Sequence, residues 1–299
     1  MTTESVDPRF VDLDLWPSRI AVEAMVEGQL FAIAAIRSQV VAIAAAADEA
    51  AARLGRSGRL VYVGAGTSGR IAVQDGVELY PTYNWPNERL LFLMAGGLSA
   101  LTEAAEGAED DAEMARRECD GAGLTREDVV IGVAASGRTP YTVAAVTAAR
   151  DQGALTIGIA NNADAPLVAA ADHGIVIETG AEIVAGSTRM KAGTAQKAVL
   201  NMLSTAIMLR RGLIHRGLMV NMRVSNDKLL NRARAMVRDV AGVDDDAAAR
   251  ALEGAGNQIK RAVLIARGAS AADADRALRD HDESLRRALS AIGARPADA

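Results

Sequence analysis

The sequence predicts an α/β fold: a doubly wound, mostly parallel five-stranded sheet, with N-terminal helices before it and a small C-terminal helical module after it. Three observations carry this. Five short aliphatic and β-branched runs recur between Arg59 and Ile177 with helical patterns between most of them, the alternation expected of parallel strands joined by crossover helices. The runs end in small, hydroxyl or amide residues, and ligands of such sheets bind at the carboxyl ends of the strands. Beyond Asn226 the strand-like runs cease and the chain turns Ala- and Arg-rich.

Residues 11–55 read as helices. Ile20 to Leu30 and Ile33 to Leu54 hold apolar residues at spacings of three and four, and Gly55 and Gly58 end them. Arg59 to Val63 is the first strand, stopping at Gly64; its unbroken apolar run is that of a strand buried on both faces. Leu90 to Met94, Asp128 to Ala134, Ala154 to Ala160 and Gly174 to Ile177 follow as the second to fifth strands. Helices are predicted over Ser68 to Leu79, Ser99 to Glu118, Pro140 to Gln152 and Pro166 to Ala171. A long helix is predicted from Gly186 to Arg211, stopped by Gly212. Breaks near Gly242, Gly254 to Gly256 and Gly268 divide the rest into a helical bundle reaching Ile292, with a disordered tail. The domains that follow are a helical segment over 1–50, the sheet domain over 51–225 and the C-terminal module with its tail over 226–299.

Composition narrows the function. The chain has 299 residues, 50% of them apolar, which is enough for a buried core. Lys plus Arg number 33 against 38 acidic residues, a net charge of -5 that is a poor footprint for nucleic acid. The single cysteine, Cys119, excludes a disulfide framework and a Cys-based zinc site. His173, His215 and His281 lie far apart with no ligand spacing, so no metal and no cofactor is expected. The N-terminus lacks a basic and apolar leader pattern, and no run of about 18 consecutive apolar residues is present. A reduced cytosol, with no membrane association, is the expectation.

Three loops carry the chemistry. Gly64-Ala65-Gly66-Thr67-Ser68-Gly69-Arg70 joins the first strand to a helix. Glycines there let the backbone approach a ligand, and the free N–H groups with the helix dipole attract an anion. The string also fits a dinucleotide fingerprint, but that needs an acidic residue closing the second strand, where the chain reads Met94-Ala95-Gly96-Gly97. The hydroxyls of Thr67 and Ser68 suit a phosphate or a sugar better. A tight turn without a ligand is the plain alternative. Ala135-Ser136-Gly137-Arg138-Thr139-Pro140-Tyr141 forms the second loop, in which Ser136 and Thr139 either bind phosphate oxygens or simply cap the helix. Gly186-Ser187-Thr188-Arg189-Met190-Lys191-Ala192-Gly193 opens the long helix. Its two cations, Arg189 and Lys191, oppose the helix dipole unless an anion sits between. Lys197 reads as an ordinary solvated residue.

These loops resemble those of the sugar isomerase domain superfamily. Longer strings narrow the likeness: Glu106 to Asp110, Gly186 to Gly193, Thr194 to Lys197 and Leu200 to Thr205 are similar to the N-acetylmuramic acid 6-phosphate etherases. The likeness runs from about Leu60 to Arg232. It departs at Asp75 to Thr82, where the family usually has Asp-Ala-Ser-Glu-Cys-Pro-Pro-Thr, and at Arg216 to Asn221. It implies a homodimer, a C-terminal three-helix module, and a phosphosugar substrate held by Gly66, Thr67, Ser68, Ser136, Gly137, Arg138, Thr139, Ser187, Thr188, Arg189 and Lys191.

It also implies a reaction. The D-lactyl ether at carbon 3 is removed by elimination and water is added, yielding N-acetylglucosamine 6-phosphate and D-lactate in cell-wall amino sugar recycling. Ring opening makes carbon 1 an aldehyde and acidifies the carbon 2 proton. The chemistry then needs one base and one acid with pKa values nearer neutrality than a free carboxyl's. Glu78 matches the family's proton donor and Glu109 its second acid/base. By spacing alone both belong as readily to solvated charged helix faces, Glu78 with Asp75 one turn before it, and Glu109 with Glu106 and Asp110 on one helical stretch. Two rivals stay open: an aldose–ketose isomerase on the same fold, and a non-enzymatic sugar-phosphate sensor or regulator.

Overall fold

The computed structural model describes residues 2–103 and 105–293. By contacts the chain divides into two units, Met1–Val77 with Glu88–Ala206, and Glu78–Asn87 with Ile207–Ala299.

In the first unit, helices α1 (Ser18–Ala35) and α2 (Val40–Arg53) meet through a short 3-10 turn, Ile36–Gln39. Strands β1 (Leu60–Gly64), β2 (Leu90–Met94), β3 (Val129–Ala134), β4 (Leu155–Ala160) and β5 (His173–Val176) follow, close to the predicted runs. They pair in the order β2-β1-β3-β4-β5, every pair parallel. The crossovers are α3 (Gly66–Tyr83), α4 (Ala112–Ala122), α5 (Pro140–Asp151) and α6 (Pro166–Ala170), and α7 (Lys191–Arg210) follows the sheet.

Alternation along β1 shows why the sheet is wound on both faces. Val61 and Val63 join Val130, Ala145 and Val146 in one apolar cluster with Ala115 and Cys119 of α4. Tyr62, between them, points the other way and stacks on Phe92, with ring centroids 5.9 Å apart. Gly76 of α3 fits against these rings; a Cβ there would lie 2.5 Å from Phe92. At the sheet's entry, Arg59 and Asp128 form an ion pair of 2.7 Å. Asp128 is buried, which raises a carboxyl's pKa, but hydrogen bonds from Arg59 and the Thr125 amide outweigh this and hold it low.

Three expectations for the first unit need correction. The helix predicted over Ser99 to Glu118 is broken into 3-10 turns at Leu98–Leu101 and Ala108–Asp110, with α4 starting only at Ala112. Gly107, at φ 73°, ends any regular helix there, and the Asp111 carboxylate caps the new one by accepting the Met114 N–H. The long helix begins at Lys191, because Gly186 at φ 75° opens a turn first. Finally, the run Ser18–Arg53 has 36 helical residues and an 18-residue window of mean hydropathy 1.9, so by length and composition it meets the requirement of a membrane span. The polar stretch Arg37-Ser38-Gln39, between the apolar runs Leu30 to Ile36 and Val40 to Ala47, hides it from a search for unbroken apolar runs.

The second unit holds α8 (Asp227–Ala241), α9 (Asp245–Gly254), α10 (Ile259–Ala266), α11 (Ala271–Asp280) and α12 (Leu285–Gly293). These are five helices among the described residues, where the resemblance implied three. Left-handed residues stop the chain between them, Gly242 at φ 71°, Asn257 at φ 64° and Gly268 at φ 92°. Val237, Leu252, Val263, Leu264 and Leu285 form its core. The buried Lys260 donates to the Glu283 carbonyl at 2.9 Å. The tail predicted after Ile292 lies, from residue 294, outside the described residues.

Candidate active site

The strand order places a topological switch between β1 and β3, where crossovers leave in opposite directions and a crevice opens at the carboxyl ends. The first two predicted loops follow these two strands. In the first, a Cβ on Gly69 would lie 2.4 Å from the Met94 sulfur and 2.8 Å from the Gly64 backbone, so only glycine lets α3 start this close to the strand. Gly66 instead faces open space at φ 53°. The amides of Gly66, Thr67 and Ser68 precede the helix bond from the Gly69 N–H to the Ala65 carbonyl, leaving donors at a helix start of the kind that hold anions.

A hollow of about 270 Å³ opens beside this loop, lined by Gly66, Thr67, Arg70, Met94, Glu106 and Glu109. Glu109 therefore shares a cavity with the first loop, although it stands on a 3-10 turn and not on the predicted helix. Arg70 fixes the wall: its guanidinium donates to the carbonyls of Ala100 at 2.9 Å and Glu103 at 3.0 Å. Sequence reading had given Arg70 no task, and its position at the loop's end was the available signal.

In the second loop the Ser136 hydroxyl accepts the Arg138 N–H at 3.1 Å, and the Arg138 guanidinium donates to the Asp164 carbonyl at 3.3 Å. Gly137, at φ 63°, packs where a Cβ would meet the Ala165 methyl at 2.3 Å. Thr139 stands at the N-cap of α5 without a side-chain capping bond, so the capping alternative does not account for its hydroxyl.

The third loop overturns one premise. The anion facing the start of α7 is the protein's own: the buried Glu182 carboxylate accepts the N–H groups of Lys191 and Ala192, both at 2.9 Å. Lys191 is buried too. Its ammonium lies 5.6 Å from the centre of the Phe31 ring on α1, and burial lowers its pKa against the opposing pull of Glu182. Ser187, Thr188 and Arg189 form the turn ahead of the helix. Arg189 and Lys197 line a second hollow of about 370 Å³ with Ile33, Ile71 and Asn201; sequence reading had passed Lys197 over. Gly193 brings α7 against the first loop, since a Cβ there would sit 3.7 Å from the Thr67 methyl. Gln196 donates to the side chain of Asn161, at the end of β4, at 2.8 Å.

Asp75 is buried on α3 and accepts from the Tyr62 hydroxyl at 2.9 Å, Asn201 at 2.6 Å and Ser204 at 3.3 Å. Burial raises its pKa, and these three donors oppose the rise. Glu78, one turn on, is exposed and belongs by contacts to the second unit; Glu109 is exposed in the first. Among the described residues no group of three or more His, Cys, Asp or Glu side chains is placed to hold a metal ion.

Comparison with known proteins adds to this geometry. A family model for the glucokinase regulatory protein N-terminal SIS domain matches residues 40–150, and one for the SIS domain matches 110–206. The chain is 47% identical to the N-acetylmuramic acid 6-phosphate etherase of Deinococcus radiodurans, over 88% of this chain and 86% of that one. It is 46% identical to the one from Streptomyces avermitilis, over 97% and 94%. The etherase of Symbiobacterium thermophilum is 51% identical over 77% and 76%. Among solved structures, a Bacteroides fragilis protein named for phosphosugar isomerisation in capsule formation superposes with a TM-score of 0.52 at 19% identity, covering 67% of this chain and 95% of that one. That likeness speaks for the fold.

Proposed function

The chain belongs to the N-acetylmuramic acid 6-phosphate etherases, a family of the sugar isomerase domain fold, and from that premise we infer how its residues divide the work. The protein is a carbon–oxygen lyase that converts N-acetylmuramic acid 6-phosphate to N-acetylglucosamine 6-phosphate and D-lactate in amino sugar recycling. The hollow shared by the first loop and Glu109 is the observation that carries the site assignment.

In this reading the substrate phosphate is held by Thr67, Ser68, Ser136, Thr139, Ser187 and Thr188 and by the amides of the first two loops. Gly66 and Gly137 keep those turns, Arg138 and Lys191 supply positive charge to the phosphate, and Arg189, on the second hollow, meets the substrate away from its phosphate. The open-chain aldehyde acidifies the carbon 2 proton. One carboxylate removes it, the carbon 3–oxygen bond breaks, and the other carboxyl protonates the departing lactate oxygen. Water then adds across the resulting double bond at carbon 3. Glu78 is the proton donor to lactate and Glu109 the second acid/base. Neither step calls on a redox partner.

We further propose a cytoplasmic enzyme acting as a homodimer. The exposed apolar side chains of α1 support the pairing. The lone thiol, Cys119, is pushed up to about 12 by burial and by neighbouring carboxylates, which makes it inert as a nucleophile.

The test is D-lactate release from N-acetylmuramic acid 6-phosphate, read with a coupled dehydrogenase, with and without chelator. Release that chelator leaves unchanged is expected. Glu109→Gln should fold as the wild type does and lose turnover by roughly 100-fold or more; wild-type turnover in that variant overturns its role. Isomerised product without lactate would return the protein to the aldose–ketose alternative.

A further inference from the structure

The reaction fixes a demand that the phosphate loops leave unmet. The substrate carries two anions, the 6-phosphate and the carboxylate of its lactyl group, while the product sugar keeps only the phosphate. The lactyl group is one carboxylate and one methyl on a single carbon.

The second hollow matches that pair. Its volume is about 370 Å³, and Arg189 and Lys197 supply the only charged side chains among its lining residues. Ile33 and Ile71 supply an apolar wall, and Thr194 and Asn201 further polar groups. Three other arginines of the first unit are engaged: Arg59 by Asp128, Arg70 by the carbonyls of Ala100 and Glu103, Arg138 by the carbonyl of Asp164. Arg189 and Lys197 form no ion pair among the described residues. The carboxylate whose pKa Lys197 influences, Asp75, already accepts three hydrogen bonds. Thr67 lines the first hollow and Gly193 the second, and Gly193 is the residue whose Cβ would sit 3.7 Å from the Thr67 methyl. The two hollows thus flank one contact, and a sugar seated on the first loop has the second hollow as its neighbour.

We propose that Lys197 and Arg189 form the subsite for the lactyl carboxylate, with Ile33 and Ile71 against its methyl, and that this pair distinguishes the ether substrate from sugar phosphates that lack the lactyl group. The proposal rests on the etherase reading. A carboxylate held by charged donors is bound through the stronger kind of hydrogen bond, and the acid's departure as free lactate ends that hold.

The test uses the full-length protein and two ligands differing in the lactyl group. In Lys197→Gln, KM for N-acetylmuramic acid 6-phosphate should rise roughly 10- to 100-fold, the range for loss of one charged hydrogen bond. The inhibition constant of N-acetylglucosamine 6-phosphate, read in the same assay, should move less than about 3-fold, since the phosphate loops are intact. Arg189→Gln should act in the same direction, and Lys197→Arg should restore most of the affinity. An unmoved KM in both glutamine variants overturns the subsite. So does a rise in KM matched by an equal loss of N-acetylglucosamine 6-phosphate binding, which would assign the cations to the phosphate. Absence of lactate release from the wild-type protein overturns the etherase reading, and this one with it; release by wild type with unmoved variants overturns the subsite alone.

Discussion

Asp75 shows how much a single residue can conceal from a sequence. One turn ahead of Glu78, it reads as part of a charged helix face, yet it is buried with three donors on its carboxylate. Its spacing was legible; its burial was not, because Tyr62 comes from β1 and Asn201 and Ser204 from α7, far away in sequence. The pH behaviour follows in sign. Burial raises the folded pKa above the unfolded value, so the folded state holds the proton longer as pH rises. Stability from this group is therefore greatest below the unfolded pKa of about 4 and falls as pH climbs through the raised folded value. Asp75→Asn can still accept from Asn201 and donate to the Tyr62 oxygen, so it should remove this component and flatten the stability profile above pH 4. Asp75→Ala should instead lose about 1–3 kcal/mol, since it strands the buried Tyr62 hydroxyl. Urea unfolding at pH 5 and pH 8 separates the two. A profile of equal slope in wild type and Asp75→Asn would show that the carboxylate is not the titrating group.

At the scale of elements, the strands were legible because a buried parallel strand needs a mainly apolar run: β1, β2 and β3 are aliphatic, aromatic, Met or Gly throughout, and Thr156 in β4 and His173 in β5 are the polar exceptions. The β1 and β3 loops were legible because glycine at a strand-to-helix turn has a steric cause, seen at Gly69 and Gly137. What misled was helical periodicity without regard to its breaks. Ser99 to Glu118 has the spacing of a helix, but Gly107 takes a left-handed conformation and turns Glu109 into a short loop beside the first hollow. The start of α7 misled through electrostatics: two cations at a helix N-terminus implied an outside anion, whereas Glu182 supplies it from nine and ten residues upstream. Glu182→Ala should then uncap two buried amides and leave Lys191 without its counter-charge. Loss of about 2–4 kcal/mol is expected, read as a lower midpoint in chemical denaturation. Glu182→Gln, which keeps one acceptor, should lose less. An unchanged midpoint in Glu182→Ala would mean that water or the chain replaces the cap at no cost.

For the molecule as a whole, the question is what covers α1. Val22, Val26, Leu30 and Phe31 are 55%, 52%, 65% and 55% exposed, and the first three recur every fourth residue, a stripe along one face. A contiguous apolar stripe of this kind marks a surface with a partner. The longer run Ser18–Arg53, of which α1 is the first half, holds an 18-residue window with the hydropathy of a membrane span, so two solvents compete for it. Charges decide between them. Arg19, Glu23 and Glu27 recur every turn along α1, Arg19 pairing with Glu23 at 2.9 Å, and each charge carried into a bilayer costs about 2.5–3.5 kcal/mol. A second copy of the chain can take the apolar stripe and leave these charges in water. Sedimentation in detergent-free buffer should accordingly give twice the chain mass of 31.2 kDa, and Val26→Glu with Leu30→Glu should give the single mass with the fold intact by circular dichroism. Because Ile33 of α1 also lines the second hollow, the monomeric variant should bind N-acetylmuramic acid 6-phosphate more weakly than the dimer. A wild-type protein that sediments as a monomer, or that leaves solution unless detergent is present, would reverse the assignment of this face.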